Sequence, residues 1–501
     1  MTETFKYGFD LLTVDIALKL ANGNIQGIID NDTREKIKKN YEVVQKIVEG
    51  KKLVYSINTG FGSLCRTKIT REEVGKLQEN LLKSHSVGVG KPISQEIAKL
   101  ILILKVHTLS KAHSGISLKI IERICWHIDN DYIPLVPKQG SVGASGDLAP
   151  LAHSFLPLIG LGYLSQDGKN YISSREVLKE QKLLPIKLQA KEGLALINGT
   201  QFITAHAIKI SNKLTNCLNH ADTIAALTLE SYMASPQPFA KKLIQLRPHK
   251  GAIIVAERIR KLLDGSQIVE SHADCERVQD PYSIRCIPQV HGASRDALLH
   301  LNEKLDCEIN SITDNPVIFN ENEVYSGGNF HGQPMALPLD YISLAASELG
   351  NISDRRIYLL LEGKWGLPLY LIEKAGLNSG FMLTQYTSAA LTSENKSLCF
   401  PASADSIPTG GGQEDHVSMG SISARKALKI INNLEKILAI ELLCAVQALD
   451  FRRPLKSSKK LEECYRYVRE RIPHLYEDTI LSEYINIAVG IIRSSELLKI
   501  I

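Results

Sequence analysis

The fourteen residues "GSVGASGDLAPLAH" (Gly140–His153) set glycines at every third position around an Ala-Ser-Gly tripeptide. Glycine adopts backbone angles that other residues avoid, so the chain can fold sharply here. Compression around Ala144-Ser145-Gly146 would bring the amide nitrogen of Gly146 onto the carbonyl carbon of Ala144. Attack with loss of water closes a five-membered imidazolone. Loss of a second water, using the hydroxyl of Ser145, leaves an exocyclic methylidene. Glycine supplies an amide with no Cβ in the way, alanine is small, and serine is the dehydratable unit. Asp147 can assist the proton transfers. The product is an electrophile made from the backbone, which no unmodified side chain offers.

The same residues also read as a plain turn. Asp147 can cap a following helix, and Pro150 is tolerated in its first turn. A Gly-x-x-Gly spacing is a weak signal by itself. A phosphate cradle fits less well, because it needs Gly-Lys-Ser/Thr after its glycines and Asp147 would repel the anion.

Six further loops put polar or aromatic residues beside glycine or a helix start. They are "SINTGFGS" (56–63), "SHSVGVG" (84–90), "LINGTQ" (196–201), "QDPYSIRC" (279–286), "SGGNFH" (326–331) and "TGGGQEDHVSM" (409–419). Chemistry concentrates on loops held by a rigid scaffold. Taken singly, the residues in or next to them have simpler roles. Tyr55 and Phe330 would be packed aromatics, and Arg285 an ion-pair partner. His85 and Glu414 would be solvated or capping groups, and Asn198 and Gln279 would satisfy loop backbone. Asp280 and Asp415 read as structural.

The elements that carry these loops are helical. From Ala424 to Leu449 apolar residues recur near every 3.6 positions, with no glycine or proline between them. The windows 93–128 (with a break at Ser114-Gly115), 202–234, 293–312 and 341–361 also read as helices. "LVYSI" (53–57) and "PVIFN" (316–320) are short strand candidates. The expected fold is mainly α, a long-helix bundle (residues 201–501) with a smaller N-terminal domain (residues 1–200) that carries the serine turn. The chain has 501 residues, 44% hydrophobic and 23% charged. A net charge of +5 from 59 basic and 54 acidic residues gives no reason to expect nucleic acid or a membrane surface as partner. The basic run 452–460 ("RRPLKSSKK") reads as a solvated linker. Nine scattered cysteines with no C-x-x-C suit free thiols in a reducing cytoplasm. His272 and Cys275 have a metal-like spacing but no second pair, so no metal is expected.

Together, the serine turn and the six loops resemble the aromatic amino acid ammonia-lyases, in the family's order and over nearly the whole chain. That family belongs to the ammonia-lyase/fumarase-like superfamily and builds a methylidene-imidazolone (MIO) from Ala-Ser-Gly. The resemblance implies MIO from Ala144-Ser145-Gly146, with no metal or diffusible cofactor. It implies that Tyr55 is the base for the substrate's β-proton and that Asn198, Gln279 and Asp147 support the prosthetic group. Tyr282 would line the site, Arg285 would hold the substrate carboxylate, and Phe330 would lie beside the MIO. It also implies an amino acid substrate and a homotetramer with active sites shared between chains, which with the free thiols read above places the expected enzyme in the cytoplasm. A tyrosine hydroxyl titrates near ~10, so Tyr55 needs a shift or a helper to act as a base.

Two positions bear on the substrate. Ser84-His85 resembles the histidine-acting branch of the family, which some tyrosine enzymes share. Glu414 would accept an imidazole N–H, whereas facing a phenyl ring it would lose solvent without gaining a partner. The implied reaction is the conversion of L-histidine to urocanate and ammonia. A tyrosine ammonia-lyase or 2,3-aminomutase is the alternative. Two departures stand out. Ile287 and His291 replace a glutamine and a methionine common in that branch, and Gly410-Gly411-Gly412 replaces Ser-Ala-Asn, which is expected to loosen the Glu414 loop.

Overall fold

The stretch "QEIAKLILILKVHTL" is apolar nearly all round, and a helix of that pattern belongs in a core. It forms the helix Gln95–Leu109, buried at every residue from Ile97 onward, with the Ser94 hydroxyl accepting the Ile97 N–H at 3.4 Å. A computed structural model describes residues 4–50, 54, 57, 59–60, 69–274 and 277–501 of the chain. The helical window breaks where expected, and the chain resumes as Leu118–Asp129. Gly115 makes the break possible: its φ is +65°, and a Cβ there would lie 2.2 Å from Val44 Cγ2.

The chain divides into two compact units. The first comprises residues 1–209, 302–339 and 401–425, and the second residues 210–301, 340–400 and 426–501. The first unit packs the helices Asn31–Glu49, Arg71–His85, Leu118–Asp129, Leu148–Phe155 and Glu192–Ile197 with Gln95–Leu109. Its strands are short. Thr4–Lys6 pairs in parallel with Gln26–Ile28, Val89–Pro92 is antiparallel to Pro137–Gln139, and Tyr163–Ser165 lies between Ile133–Pro134 and Ile172–Ser173. "PVIFN" supplies the strand Val317–Ile318, antiparallel to Val324–Tyr325.

The second unit is a packing of helices around a buried polar centre. Asp222 accepts from His291 Nδ1 at 2.9 Å and from Arg258 Nε at 3.1 Å. The other ring nitrogen of His291 lies 3.3 Å from Arg356 Nη1. Arginine can only donate, so His291 is the neutral Nδ1–H tautomer. This gives a structural reason for one departure noted above, since a methionine at position 291 would make neither bond. Arg356 forks onto Glu441, with Nε to Oε1 at 2.6 Å and Nη2 to Oε2 at 2.9 Å, and both side chains are fully buried. Gly251 and Gly292 bring two helices together main chain to main chain: a Cβ on Gly251 would lie 2.0 Å from the Gly292 carbonyl oxygen.

The other helical windows appear as Gln201–Ser231, Ile287–Glu308, Gln333–Leu361 and Gly420–Asp450. The basic run at 452–460 joins two helices but is only partly solvated, with Lys456, Lys459 and Lys460 exposed. Arg452 is buried and donates from Nε to the Ser231 carbonyl at 2.7 Å, and Ser457 and Ser458 are also buried. The last carbonyls of a helix need donors, and this arginine supplies one at the end of Gln201–Ser231. His272 sets both ring nitrogens against main-chain carbonyls, those of Ile268 at 2.7 Å and Ala234 at 3.2 Å. Cys275 lies outside the described residues. The described cysteines are free thiols, and no described helix is long and apolar enough to cross a membrane.

Candidate active site

All three glycines of the serine turn take left-handed or related angles, with φ of +134° at Gly140, +70° at Gly143 and +76° at Gly146. Two of them are also needed for space. A Cβ on Gly143 would lie 2.1 Å from Ser418 Oγ, and one on Gly146 would lie 2.1 Å from the Gly199 carbonyl oxygen. Gly146 and Gly199 form a parallel bridge in which the Asp147 N–H donates to the Gly199 carbonyl at 2.8 Å. Asn198 Nδ2 donates to the Ser145 carbonyl at 3.0 Å. On the other flank the Met419 N–H donates to the Val142 carbonyl at 2.9 Å, and the Ser421 hydroxyl to that of Ser141 at 2.6 Å. The segment around Ala144-Ser145-Gly146 is therefore held on both flanks by hydrogen bonds to its main chain, with Ala144 and Ser145 half-buried and Gly146 buried.

Asp147 does not cap its own helix. It stands at the N-cap of Leu148–Phe155 with φ −102° and ψ 58°, away from the extended geometry that lets a cap side chain reach its own first turn. Its carboxylate turns to a different helix start: Oδ2 accepts the Ile203 N–H at 3.0 Å, while Oδ1 accepts the Ser141 hydroxyl at 3.1 Å. Burial pushes its pKa up to about 7, against the lowering effect of those hydrogen bonds.

Other loops of the first unit join the same cluster. The Gly88 N–H of "SHSVGVG" donates to His153 Nε2 at 3.0 Å, on the helix that follows the serine turn. His85 closes the helix Arg71–His85 half-buried, with Nδ1 3.0 Å from Ser84 Oγ, and burial lowers its pKa. In "SGGNFH" Phe330 is half-buried, and the ring of its neighbour His331 stacks on that of His416, with centroids 5.6 Å apart. Ser418 is the common point. Fully buried, it donates to the Gly143 carbonyl at 3.4 Å and accepts the Gly420 N–H at 3.2 Å, and a Cβ on Gly332 would meet its hydroxyl at 2.8 Å.

Glu414 sits half-buried on the loop that leads into Ser418. The three glycines before it do not simply loosen the loop. Gly410, Gly411 and Gly412 have φ of +56°, +67° and +87°, a left-handed turn closed by a bond from the Gly412 N–H to the Thr409 carbonyl at 3.0 Å. The carboxylate of Glu414 folds over the bare Cα of Gly410, where a Cβ would lie 1.6 Å from Oε2.

Gln279, Tyr282 and Arg285 belong to the second unit. Gln279 is exposed, and so is Tyr282. The Arg285 guanidinium lies 4.6 Å from the Tyr282 ring centre, and its Nε is buried with no hydrogen-bond partner among the described residues. Asp280 is structural, accepting from Arg277 Nη1 at 2.6 Å and from the Ser235 N–H at 2.8 Å, whereas Asp415 is exposed. Tyr55 lies outside the described residues, with most of "SINTGFGS". Residue-type reasoning missed Ser418, whose hydroxyl carries no signature. It also missed Lys105, although a lone cation in "LILILKVHTL" is a visible anomaly.

Comparison with known proteins agrees with this geometry. The model of the aromatic amino acid lyase family matches residues 12–470. A histidine ammonia-lyase of Natranaerobius thermophilus is 47% identical, the match covering 96% of this chain and 95% of that protein. The crystal structure of histidine ammonia-lyase from Trypanosoma cruzi superposes with a TM-score of 0.91 at 40% identity, covering 100% of this chain and 95% of that one. A tyrosine aminomutase from Streptomyces globisporus gives a TM-score of 0.92 at 34% identity, covering 100% and 98%. On the loops that converge at Ser418 and on these matches, the chain belongs to the aromatic amino acid lyase family.

Proposed function

We propose that this carbon–nitrogen lyase eliminates ammonia from L-histidine to give trans-urocanate, using an MIO formed from Ala144-Ser145-Gly146. The observation that carries the reading is the clamped tripeptide, whose Gly146 approaches Gly199 so closely that no side chain fits. The residues present suit the group. Gly146 carries no Cβ to hinder its amide, Asn198 Nδ2 holds the Ser145 carbonyl, and Asn198 Oδ1 is a buried acceptor with no partner among the described residues. When present, the MIO supplies an electrophile able to activate the substrate for loss of ammonia.

The remaining work falls to ordinary side chains. Tyr55 takes the β-proton. Arg285 holds the carboxylate with its planar fork, which has an unpartnered buried Nε to offer. His85 and Glu414 bracket the imidazole, and Phe330 and Tyr282 line the site. Asn198, Gln279 and Asp147 keep the prosthetic group in place. Fixing the substrate at both ends supplies part of the rate by orientation. The reading includes a homotetramer in the cytoplasm whose chains share active sites.

The likeness to a tyrosine aminomutase keeps a second reading in view, a tyrosine ammonia-lyase or 2,3-aminomutase on the same scaffold. An absorbance assay of purified enzyme with L-histidine, L-tyrosine and L-phenylalanine side by side separates them. The proposal expects histidine to be consumed fastest. Faster turnover of tyrosine, or accumulation of a β-amino acid, would transfer the assignment to the second reading.

A further inference from the structure

Lys105 is 1% exposed in the helix Gln95–Leu109, which is buried at every residue from Ile97 onward. Packing alone does not ask for an amine there, since methionine would fill the same space. Burial pushes its pKa down to about 7, and the Lys191 cation adds to the fall while the Asp314 and Asp147 carboxylates oppose it. What the amine contributes is two hydrogen bonds. Nζ donates to the carbonyls of Asn198 at 2.7 Å and Ala195 at 3.2 Å, at the C-terminal end of the helix Glu192–Ile197. A cation is favoured at that end of a helix.

Asn198 and Gly199 are the residues that bear on the serine turn. Asn198 holds the Ser145 carbonyl with its side chain, and the Gly199 carbonyl accepts the Asp147 N–H. Lys105 grips the Asn198 main chain, while Asn198 and Gly199 grip residues 145–147. We propose that Lys105 is a positioning residue for the cyclisation of Ala144-Ser145-Gly146, acting through Asn198 and Gly199. The step balances without an oxidant. The Gly146 N–H adds across the Ala144 carbonyl, forming the C–N bond, and the resulting hydroxyl leaves with the Ser145 N–H proton as the first water. The Ser145 Cα–H and Cβ–OH leave as the second. Ring closure needs nitrogen and carbon held far inside their usual separation, and a shift of ~1 Å in such a group costs roughly 100-fold in rate.

The inference rests on the activity proposed above, and the test separates the two. Full-length wild type, Lys105→Met, Lys105→Gln and Lys105→Arg are synthesised in a cell-free system, and their intact masses are followed over time. Wild type should end two waters lighter than its sequence; if it never does, the MIO reading fails before the lysine is tested. If wild type dehydrates, Lys105→Met and Lys105→Gln should fold, by circular dichroism, yet dehydrate roughly 100-fold more slowly, with Lys105→Arg recovering much of the rate. Dehydration at the wild-type rate in folded Lys105→Met or Lys105→Gln would overturn the proposal. It would also be overturned if both neutral variants failed to fold while Lys105→Arg folded and dehydrated normally, because the amine would then serve folding alone.

Discussion

The carboxylate of Asp147 accepts the main-chain N–H of Ile203 at 3.0 Å, so the residue after the serine turn anchors the start of the helix Gln201–Ser231. Its folded pKa, raised to about 7 chiefly by burial, lies above the unfolded value of ~3.9. The stability tied to the protonated form is complete below the unfolded value and is lost as pH rises through about 7. Asp147→Asn cannot titrate. Its thermal midpoint should therefore gain on that of wild type between pH 5 and pH 8. A gap that stays constant across that range would show that Asp147 does not titrate in the folded protein.

Ser145→Ala removes the only hydroxyl of the tripeptide. Its intact mass should match its sequence while wild type is two waters light, and its activity should vanish with the fold retained. Turnover at the wild-type rate would refute the MIO assignment.

Tyr55→Phe should still dehydrate at Ala144-Ser145-Gly146 but lose roughly 10²–10⁴-fold in kcat, the usual contribution of a positioned base. An unchanged kcat would remove Tyr55 from that role.

Glu414→Gln keeps the size of the side chain and removes its charge. A hydrogen bond to a charged group contributes about 1.5–3 kcal/mol, so kcat/KM for histidine should fall roughly 10- to 100-fold, with a smaller change for tyrosine. The opposite pattern would favour the tyrosine reading.

Glu441 accepts four hydrogen bonds, two from Arg356, one from Thr228 and one from Ser353. Arg356→Met leaves that carboxylate buried without its counter-charge and should cost about 3–5 kcal/mol in urea unfolding. Adding Glu441→Leu should recover much of the loss. A double variant as unstable as the sum of its singles would mean that the two residues act independently.

The serine turn stood out as a candidate because the condensation proposed for it restricts residue types. Only a tripeptide like Ala144-Ser145-Gly146 can condense in the way described, and long runs such as Ala424–Leu449 announce their helices by period. Partners distant in sequence were not legible. Asp147 read locally as the cap of its own helix, and nothing nearby points to Ile203, 56 residues on. Ser418 is a small hydroxyl in "DHVSM" that matters only because Gly143, Gly332 and Gly420 crowd it. Arg452 looked solvated because charge in a linker usually is, yet the Ser231 carbonyl drew it inside.

The bare meeting of Gly251 and Gly292 sets the axial register of the two helices that carry them. No replacement residue can be accommodated by rotating a side chain aside, because main chain lies against main chain. In a saturation library both positions should come back as glycine alone. An insertion between them should be absorbed by the intervening connection, since sliding one helix along the other would carry a Cβ into that contact.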